Sequence, residues 1–388
     1  MIVLQMNFRF DNSSITTKPL LMWGLKTHIM KVLSLFNGMN CIGLALSELG
    51  IDFDLYASEI DKYGTQVSDA LFPNTVNLGD VRTVNVEELP VFDLVVAGSP
   101  CQGFSFAGKQ LNFDDDRSKL FFDFVKILEA CKKRNPDVKF LLENVKMKKE
   151  YEAVISRFMG IDPIEINSAL LSAQTRTRIY WTNIGTSIDN LFGIEEVGIK
   201  QPKDKGILLK DILELEVDDK YLLSKKVRDR FKLLNNSFCV GTTKPEFRTI
   251  GQRDLVYGEE NKMGCLMASD YKQPKQVLIV PEATKQGYTE IKDGECVDLT
   301  FIDSKTRRGR KMEDKSNCLT AANYDFCQWK DAKIRRLTPK ECMRLQTVPE
   351  WAIEKMLNCG VSDSQLYKML GNGWTVAVIT YILSHEYK

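Results

Sequence analysis

The strongest constraint on the fold is a regular alternation of apolar runs and amphipathic stretches in the first 150 residues. Four apolar runs have the length of buried strands, at 32–36, 54–58, 92–97 and 140–142. The stretches between them have helical spacing, at 40–49, 61–71 and 118–133. This order predicts a doubly wound α/β domain with a parallel sheet. Ligands of such sheets bind where the strands end, so we expect one shared site from residues 37–41, 59–61, 79–81, 98–102 and 143–145.

Bulk properties exclude several classes of protein. The chain has 388 residues, which predicts two domains or one domain with a large insertion. Its formal net charge is +1, so a surface for nucleic acid would have to be local. The ten cysteines form no C-x-x-C pair, which disfavours a zinc site, and we find no secretory signal. We therefore expect reduced thiols in a cytoplasm, and the lack of a long apolar run predicts no membrane span.

Cys101 follows the third strand, directly after Pro100. A cysteine just past a strand end is expected in a loop that faces a cleft, and the proline stiffens its approach. A thiolate in such a place is a strong nucleophile once positive charge or backbone donors lower its pKa. An arbitrary cysteine is more often a buried structural residue. The Pro-Cys context at a strand end reverses that preference and favours the nucleophile.

Two further polar patterns adjoin apolar segments. Glu143 comes directly after the fourth strand, where a carboxyl group is usually a loop residue or a helix cap but beside a nucleophile can act as an acid. Arg176 and Arg178 precede the apolar run 179–181, and strand alternation puts them on one face with Gln174. The ordinary interpretation is a solvated edge strand. Two guanidinium groups on one face would also suit anionic or polar ligands.

Three weaker signals lie near the ends of the first strands. The turn around Gly38 is loosely glycine-rich, as in nucleotide-binding loops. Glu59 ends the second strand, where acidic residues of dinucleotide folds bind ribose. Asp80 and Val81 offer a carboxylate and a backbone amide to an adenine. Each of these features alone is more often ordinary loop chemistry than a binding site.

Together the segments resemble the DNA (cytosine-5)-methyltransferase family of bacterial and phage type, over roughly residues 31–185 and 333–388. The resemblance depends on many motifs in the family's order. They are Leu35-Phe36-x-Gly38, Glu59, Asp80, Pro100-Cys101-Gln102, Asp116-Arg117-Ser118-Lys119-Leu120-Phe121, Glu143-Asn144-Val145, Gln174-x-Arg176-x-Arg178, Arg336-Leu337-Thr338-Pro339-x-Glu341-x-x-Arg344-Leu345-Gln346 and Gly371-Asn372-Gly373.

The resemblance implies a Rossmann-like domain that transfers the methyl group of S-adenosylmethionine to C5 of a flipped-out cytosine, with no metal. It implies that Cys101 attacks C6, that Glu143 protonates N3, and that Arg178 contacts O2 while Arg176 steadies the pocket. The loop at 103–117 is expected to close as a lid. The residues assigned to the cofactor are Phe36, Gly38, Met39, Glu59, Ile60, Asp80, Val81, Pro100, Leu120, Asn372 and Trp374.

The chain departs from the family pattern in two motifs. Asn40-Cys41 stands where the first motif usually has a second pair of glycines. Gly373-Trp374 follows the last asparagine, where serine is common. Both departures concern contacts with the cofactor. A helix after the turn at Gly371-Asn372 is expected to return to the first part of the chain.

The catalytic motifs stop at Arg178 and resume at Arg336, and the strand–helix alternation weakens between them. By its place in the family's order this middle part is the target-recognition domain, and its basic clusters at 224–228 and 305–311 suit DNA phosphates. We expect a monomer that acts on double-stranded DNA in a bacterial or phage-infected cytoplasm; whether a restriction enzyme accompanies it is open. The predicted parts are an extension at 1–30, a catalytic and cofactor-binding part at 31–185, the recognition domain at 186–332 and a second catalytic part at 333–388.

Three other functions are weighed against this one. A dinucleotide-dependent oxidoreductase would share the strand–turn–helix start but leaves Cys101, Glu143 and the arginine pair unexplained. A DNA-binding module without activity is disfavoured because both Cys101 and Glu143 are present. An RNA cytosine methyltransferase of the same family would have the same motifs, and only a substrate assay excludes it.

Overall fold

The structure is a computed structural model that describes residues 28–98, 116–189, 194–214, 216–223 and 333–387. In the middle part it also describes the pieces 232–233, 239, 241–243, 252–258, 261–281, 288–289, 296–298, 310–312 and 326–327. Several predicted features lie outside the described residues: Pro100, Cys101, the basic cluster at 224–228, and most of the N-terminal extension, of the lid and of the cluster at 305–311.

A seven-stranded sheet forms the centre of the catalytic part. The first eight strands are β1 Met30–Leu35, β2 Phe53–Ser58, β3 Val76–Asn77, β4 Leu94–Gly98, β5 Lys139–Val145, β6 Ile164–Asn167, β7 Gln174–Thr175 and β8 Thr177–Thr182. The sheet has the order β3-β2-β1-β4-β5-β8-β6. Its first five strands are parallel, as predicted, whereas β8 runs antiparallel to both β5 and β6.

Helices cover both faces of this sheet. They are α1 Cys41–Glu48, α2 Lys62–Leu71, α3 Asp116–Arg134, α4 Lys149–Met159, α5 Pro339–Leu345, α6 Glu350–Asn358, α7 Asp363–Asn372 and α8 Val376–Leu383. Because side chains alternate along a strand, Val32 lies in one apolar cluster with α1 and α8, while Leu33 lies in a second cluster with α3 and α4. The doubly wound arrangement is thus confirmed, and α8 packs directly on α1.

Two boundaries differ from the sequence prediction. β5 continues through Glu143 to Val145, because β8 lies beside it and pairs Glu143 with Tyr180. The glutamate is therefore held by a strand and not by the loop after it. Gly371 and Asn372, expected in a turn, are the last residues of α7, and the chain turns after them before α8 begins.

The described pieces of the middle part form short strands. They are β9 Thr186–Asp189, β10 Ile194–Val197, β11 Lys232–Leu233, β12 Gly241–Thr242, β13 Leu255–Tyr257, β14 Met263–Gly264, β15 Gln276–Pro281, β16 Tyr288–Thr289, β17 Cys296–Asp298, β18 Arg310–Met312, β19 Phe326–Cys327 and β20 Lys333–Arg336. β20 pairs with β15, and β14 pairs with β7 beside the arginine pair. Both pairings cross the predicted domain boundaries, which stay a prediction.

A buried ion pair holds the start of the C-terminal part. Arg335 donates two hydrogen bonds to Glu341, at 2.7 and 2.6 Å, and both side chains are buried. The same carboxylate accepts from the Thr338 amide at 2.8 Å, which completes a capping box at the start of α5. This cluster fixes the direction in which the chain returns to the catalytic part.

Candidate active site

A cavity of about 540 Å³ opens where β1, β2, β4 and β5 end. We call the side that contains the glycine-rich turn, Glu59 and Asp80 the turn end, and the side that contains Glu143, Arg176, Arg178 and Trp374 the arginine end. Cys101 and Pro100 lie outside the described residues. Every other predicted site residue lines the cavity: Phe36, Gly38, Met39, Glu59, Ile60, Asp80, Val81, Leu120, Glu143, Arg176, Arg178, Asn372 and Trp374.

Glu59 organises the turn end through backbone donors. Its Oε2 accepts from the Gly38 amide at 2.6 Å, and its Oε1 accepts from the amides of Ile60 and Asp61 at 2.8 and 2.7 Å. One carboxylate thus ties the turn after β1 to the chain after β2. An ionised carboxylate has about four lone-pair sites, so after these three hydrogen bonds one further acceptor site remains, on Oε2.

The turn after β1 depends on left-handed backbone. Phe36, Gly38 and Asn40 have φ of 58°, 55° and 65°. Asparagine tolerates this conformation better than most residues, and the Asn40 side chain accepts from the Gly43 amide at 3.0 Å as the cap of α1. Asparagine therefore replaces the family's usual glycine without loss of the turn.

Cys41, which with Asn40 replaces the family's second pair of glycines, is buried against the second departure from the family pattern, at Gly373-Trp374. Its thiol donates to the carbonyl oxygen of Trp374 at 3.6 Å. Burial raises the pKa of Cys41 to about 12. The thiol is therefore a packing group, and it is poorly suited to act as a nucleophile.

Asp80 lies at the entrance of the turn end and pairs with its neighbour. It caps the short 3₁₀ helix Val81–Thr83, and its carboxylate accepts from the Arg82 guanidinium. The side-chain and backbone hydrogen bonds of Arg82 lower the pKa of Asp80 to about 2. The carboxylate is therefore ionised under ordinary conditions, and Arg82, which the sequence analysis did not single out, also lines the cavity.

Ile60 gives the turn end an apolar surface. Its side chain is 76% exposed although it follows a buried strand and lines the cavity. Large apolar side chains left in the open beside polar groups are typical of ligand sites. The position suits a flat ring stacked on the side chain.

Glu143 is the centre of the arginine end. Its Oε1 lies 2.9 Å from Nε of Arg178, and its Oε2 accepts from the indole N–H of Trp374 at 3.2 Å. The side chain is buried. A different donor therefore holds each oxygen, which fixes the plane of the carboxyl group.

The indole of Trp374 reaches this place only because Gly98 has no side chain. A Cβ at Gly98 would lie 2.8 Å from the indole nitrogen, closer than real contacts allow. Gly98 also pairs in register with Glu143 across β4 and β5. The residue that departs from the family's last motif is thus wedged between the ends of the two central strands.

Arg178 is charged despite its burial. Burial opposes the charged guanidinium, but the attraction of Glu143 together with that of Cys265 and Tyr180 outweighs it and raises the pKa of Arg178 above its usual value. Its Nη1 donates to the Thr177 carbonyl at 2.9 Å. The ion pair with Glu143 is therefore oriented as well as charged.

Arg176 has a different role, because it binds backbone. It donates to the carbonyl oxygens of Leu266, Gly371 and Gly373 at 2.9, 3.2 and 2.9 Å. Burial, and then the nearby charge of Arg178, lower the pKa of Arg176. Arg176 thus ties β8 to the middle part and to the end of α7.

Gln174 does not share the cavity with the two arginines. It is fully buried, accepts from the Leu266 amide at 2.7 Å and contacts Gln346 at 3.3 Å. The chain breaks regular strand geometry at Arg176, between β7 and β8. The predicted single face therefore holds for the arginines only.

Cys265 is the polar contact that the sequence analysis missed. Its sulfur lies 3.3 Å from Nη1 of Arg176 and 3.8 Å from Nη2 of Arg178. Nothing in the local pattern around residue 265 indicates this contact, since it depends on the pairing of β14 with β7. Among the described residues, no three His, Cys, Asp or Glu side chains form a metal site, and no helix is long and apolar enough to cross a membrane.

This combination of strand-end motifs matches a known family over nearly the whole chain. The model of the C-5 cytosine-specific DNA methylases matches residues 30–387. The chain belongs to the C-5 cytosine-specific DNA methylases. The enzyme is therefore a methyltransferase that modifies cytosine in DNA at C5, and the oxidoreductase alternative is excluded.

Relatives of the methylase come from phages and bacteria. The orphan methyltransferase M.SPRI of Bacillus phage SPR is 29% identical, over 92% of this chain and 98% of its own length. The type II methyltransferase M1.ScrFI of Lactococcus lactis subsp. cremoris is also 29% identical, over 91% of this chain and 77% of its own. The predicted bacterial and phage type is thus confirmed.

Solved structures show the same fold. Dnmt2 methyltransferase of S. pombe has a TM-score of 0.56 at 18% identity, over 92% of this chain and 97% of its own. A mutant of Spodoptera frugiperda DNMT2 has a TM-score of 0.53 at 22% identity, over 92% of this chain and 100% of its own. These likenesses confirm the Rossmann-like methyltransferase fold of the methylase.

Proposed function

We propose that the methylase binds S-adenosylmethionine at the turn end of the cavity. The buried Oδ1 of Asn37, which lines the cavity, has no hydrogen-bond partner among the described residues, and an ammonium donor would satisfy it. Oε2 of Glu59 has an acceptor site left for a ribose hydroxyl, and Ile60 offers its exposed face to an adenine ring. The other residues that would hold the cofactor are Phe36, Gly38, Met39, Asp80, Val81, Pro100, Leu120, Asn372 and Trp374.

The single observation that carries the proposed methyl transfer to cytosine is the arrangement around Glu143. Arg178 and Trp374 fix its carboxyl group at the end of β5, and its register partner is Gly98. Cys101 follows Gly98 by three residues, so chain length alone keeps it within about 11 Å of that point. A nucleophile at Cys101 would therefore lie near the acid and the cation that we propose at this corner of the cavity.

In the proposed mechanism the thiolate of Cys101 adds to C6 of the flipped-out cytosine. Glu143 contacts the N3 edge and, once it has itself taken up a proton, supplies that proton there, which relieves charge as the bond forms. Arg178 donates to O2, and Arg176 holds the surrounding backbone in place. Bound S-adenosylmethionine would supply the electrophilic methyl group to C5. Loss of the C5 proton and elimination of Cys101 from C6, with return of the N3 proton, then release 5-methylcytosine. General acid help from a residue such as Glu143 contributes roughly 10²–10⁴-fold.

The proposed substrate is double-stranded DNA, read by residues 186–332. The target base must leave the stack, which costs a few kcal/mol. The chain is proposed to act as a monomer in a bacterial or phage-infected cytoplasm.

Replacing Arg307, Arg308 and Arg310 by glutamine should weaken DNA binding and flatten its salt dependence, because each lost phosphate contact lowers the slope by roughly one. Exchange of the segment for that of a relative should move the methylated sequence; continued methylation of the original site would refute the assignment.

Bisulfite sequencing of DNA from cells that express the chain tests the chemistry and gives the target sequence. We expect protected cytosines in one sequence context. Cys101→Ser should lower methyl transfer by at least about 10³-fold, because the hydroxyl stays protonated where a thiolate would form, while cofactor binding measured by calorimetry survives. Near-normal turnover of this variant would remove Cys101 from the mechanism.

DNA that carries 5-fluorocytosine in the target site tests the covalent step directly. Fluorine at C5 cannot leave as a proton does, so elimination should stall with Cys101 bound to C6. Peptide mapping of the trapped complex identifies the cysteine. An adduct on Cys41 or Cys265 would overturn the assignment.

A further inference from the structure

One short piece of the middle part packs against the arginine pair. β14 runs parallel to β7, and the next residues pass beside α7. The fit is close, since a Cβ at Gly371 would lie 2.1 Å from the carbonyl carbon of Met267. The Leu266 amide and carbonyl are both bound, by Gln174 and Arg176. The position of Cys265 is therefore fixed by backbone contacts on both of its sides.

The sulfur of Cys265 lies between two guanidinium groups, 3.3 Å from Arg176 and 3.8 Å from Arg178. Its thiol also has the Leu266 carbonyl within reach at 3.3 Å. Burial by itself would raise the pKa of Cys265, but the charges of Arg176 and Arg178 outweigh it, and the pKa is lowered. Cys41, which is more deeply buried and far less affected by these charges, shows the opposite shift.

The charges of the arginine end explain why a sulfur anion fits here. Arg176 and Arg178 bring two positive charges, and Glu143 brings one negative charge. The other acceptors around Arg176 are neutral carbonyl oxygens. A thiolate at Cys265 would supply a second negative charge within hydrogen-bond distance of both guanidinium groups, where it would balance the pair.

We propose that Cys265 is a positioning residue: its sulfur holds Arg176 and Arg178 in the orientation that presents Arg178 to the target base. Methyl transfer then depends on how the middle part is seated against β7. This proposal rests on the proposed function for the role of Arg178. It gives the middle part a direct effect on the reaction step in addition to any role in DNA recognition.

Three substitutions in the full chain separate charge from packing. Cys265→Ala removes the acceptor, Cys265→Ser keeps the size but stays neutral, and Cys265→Asp restores a negative charge with a larger group. We expect kcat to fall about 10- to 100-fold in Cys265→Ala, because small misplacements of positioned groups cost that much. We expect Cys265→Asp to recover more activity than Cys265→Ser, and KM for DNA to change less than kcat.

A packing role gives the opposite order, with Cys265→Ser nearly normal and Cys265→Asp worst, and that result would overturn the proposal. Calorimetric binding of S-adenosylmethionine to each variant checks that it is folded. Cys359→Ser is the matched control, because Cys359 is also half-buried and its thiol donates to a carbonyl oxygen, that of Met356, at 3.0 Å. This control should keep full activity.

Alkylation gives a second readout that needs no activity. Iodoacetamide labelling of the native enzyme is followed against pH by peptide mass spectrometry, with each cysteine scaled to its own plateau. Cys265 should reach half its plateau at lower pH than Cys359, and Arg176→Met should move that midpoint upward. Equal midpoints would contradict the proposal, as would a Cys265→Ala variant with normal kcat. Wild-type enzyme without methyl transfer would instead refute the proposed function.

Discussion

The two ends of the cavity differ in the sequence separation between the residues that form their contacts. At the turn end, Glu59 binds amides one, two and 21 residues away. At the arginine end, Glu143 binds Trp374, 231 residues away, and Arg176 binds Leu266, 90 residues away. The turn end is thus set by neighbouring strands, whereas the arginine end exists only when three distant parts of the chain meet.

The two ends also differ in chemistry. The turn end uses backbone N–H groups, which every residue type except proline supplies, gathered by the one carboxylate of Glu59. The arginine end uses charged side chains in a buried place, where each group depends on its partner. We therefore expect substitutions at the turn end to change cofactor affinity, and substitutions at the arginine end to change turnover.

The largest effect is expected where a buried ion pair is also part of the reaction. Arg178→Met and Arg335→Met each leave a buried carboxylate without its guanidinium partner, at a cost on the order of 3–5 kcal/mol of stability. Only Arg178→Met should also lower kcat of the folded enzyme, by roughly 10²–10³-fold, because a donor to the base is lost. Urea unfolding and methyl incorporation measure the two effects. An equal loss of kcat in folded Arg335→Met would remove the distinction between the sites.

At the turn end, Glu59→Ala should weaken S-adenosylmethionine binding by about 10- to 100-fold, since the amides of Gly38, Ile60 and Asp61 lose a charged acceptor. At saturating cofactor kcat should be nearly normal. Calorimetry and steady-state kinetics measure these quantities. Asp54→Ala, on the strand that precedes Glu59 but outside the cavity, is the control. A fall in kcat with unchanged affinity would contradict the division between the two ends.

A smaller effect is expected from Trp374→Phe, which keeps an aromatic ring but removes the donor to Glu143. We expect kcat to fall about tenfold, as for the loss of a hydrogen bond to a charged group, with cofactor affinity nearly unchanged. Trp181→Phe makes the same chemical change in the core, where the indole donates to Ser156 at 3.0 Å, and should leave kcat unchanged. Because the ring that we propose to contact the cofactor is kept, a larger fall in affinity than in kcat would show that the indole N–H acts on the cofactor and not on Glu143.

The smallest effect concerns Asp80. Its pKa is lowered to about 2 by Arg82, so the stability it contributes is present above its unfolded pKa of about 4 and is lost as the pH falls toward 2. Between pH 5 and 8 its charge is constant. Asp80→Asn should therefore weaken cofactor binding by the same factor, about threefold, at both values. A factor that changes between pH 5 and pH 8 would show that another titrating group controls this end.

The sequence by itself determined the α/β class and the turn end. Short-range periodicity of apolar residues predicts strands and helices. Parallel strands all end at one edge of the sheet, so polar residues that follow them must lie close together. Glu59, Asp80 and the turn at Gly38 could be grouped on that basis. The order of the motifs also gave the family, because it preserves residue type and spacing even where Asn40 replaces a glycine.

Tertiary structure alone decided how the arginine end is assembled. The alternation of side chains along a strand predicted that Gln174 shares a face with the two arginines. In the structure Gln174 is instead buried in the core, where β7 pairs with β14. No pattern indicated that Glu143 lies within its strand, since that depends on the antiparallel β8 beside it. Contacts between Trp374 and Glu143, or between Cys265 and the arginines, require backbone segments some 90 to 230 residues apart to be fixed first. The local sequence pattern does not identify such partners, because packing of the folded chain determines which distant residues come into contact.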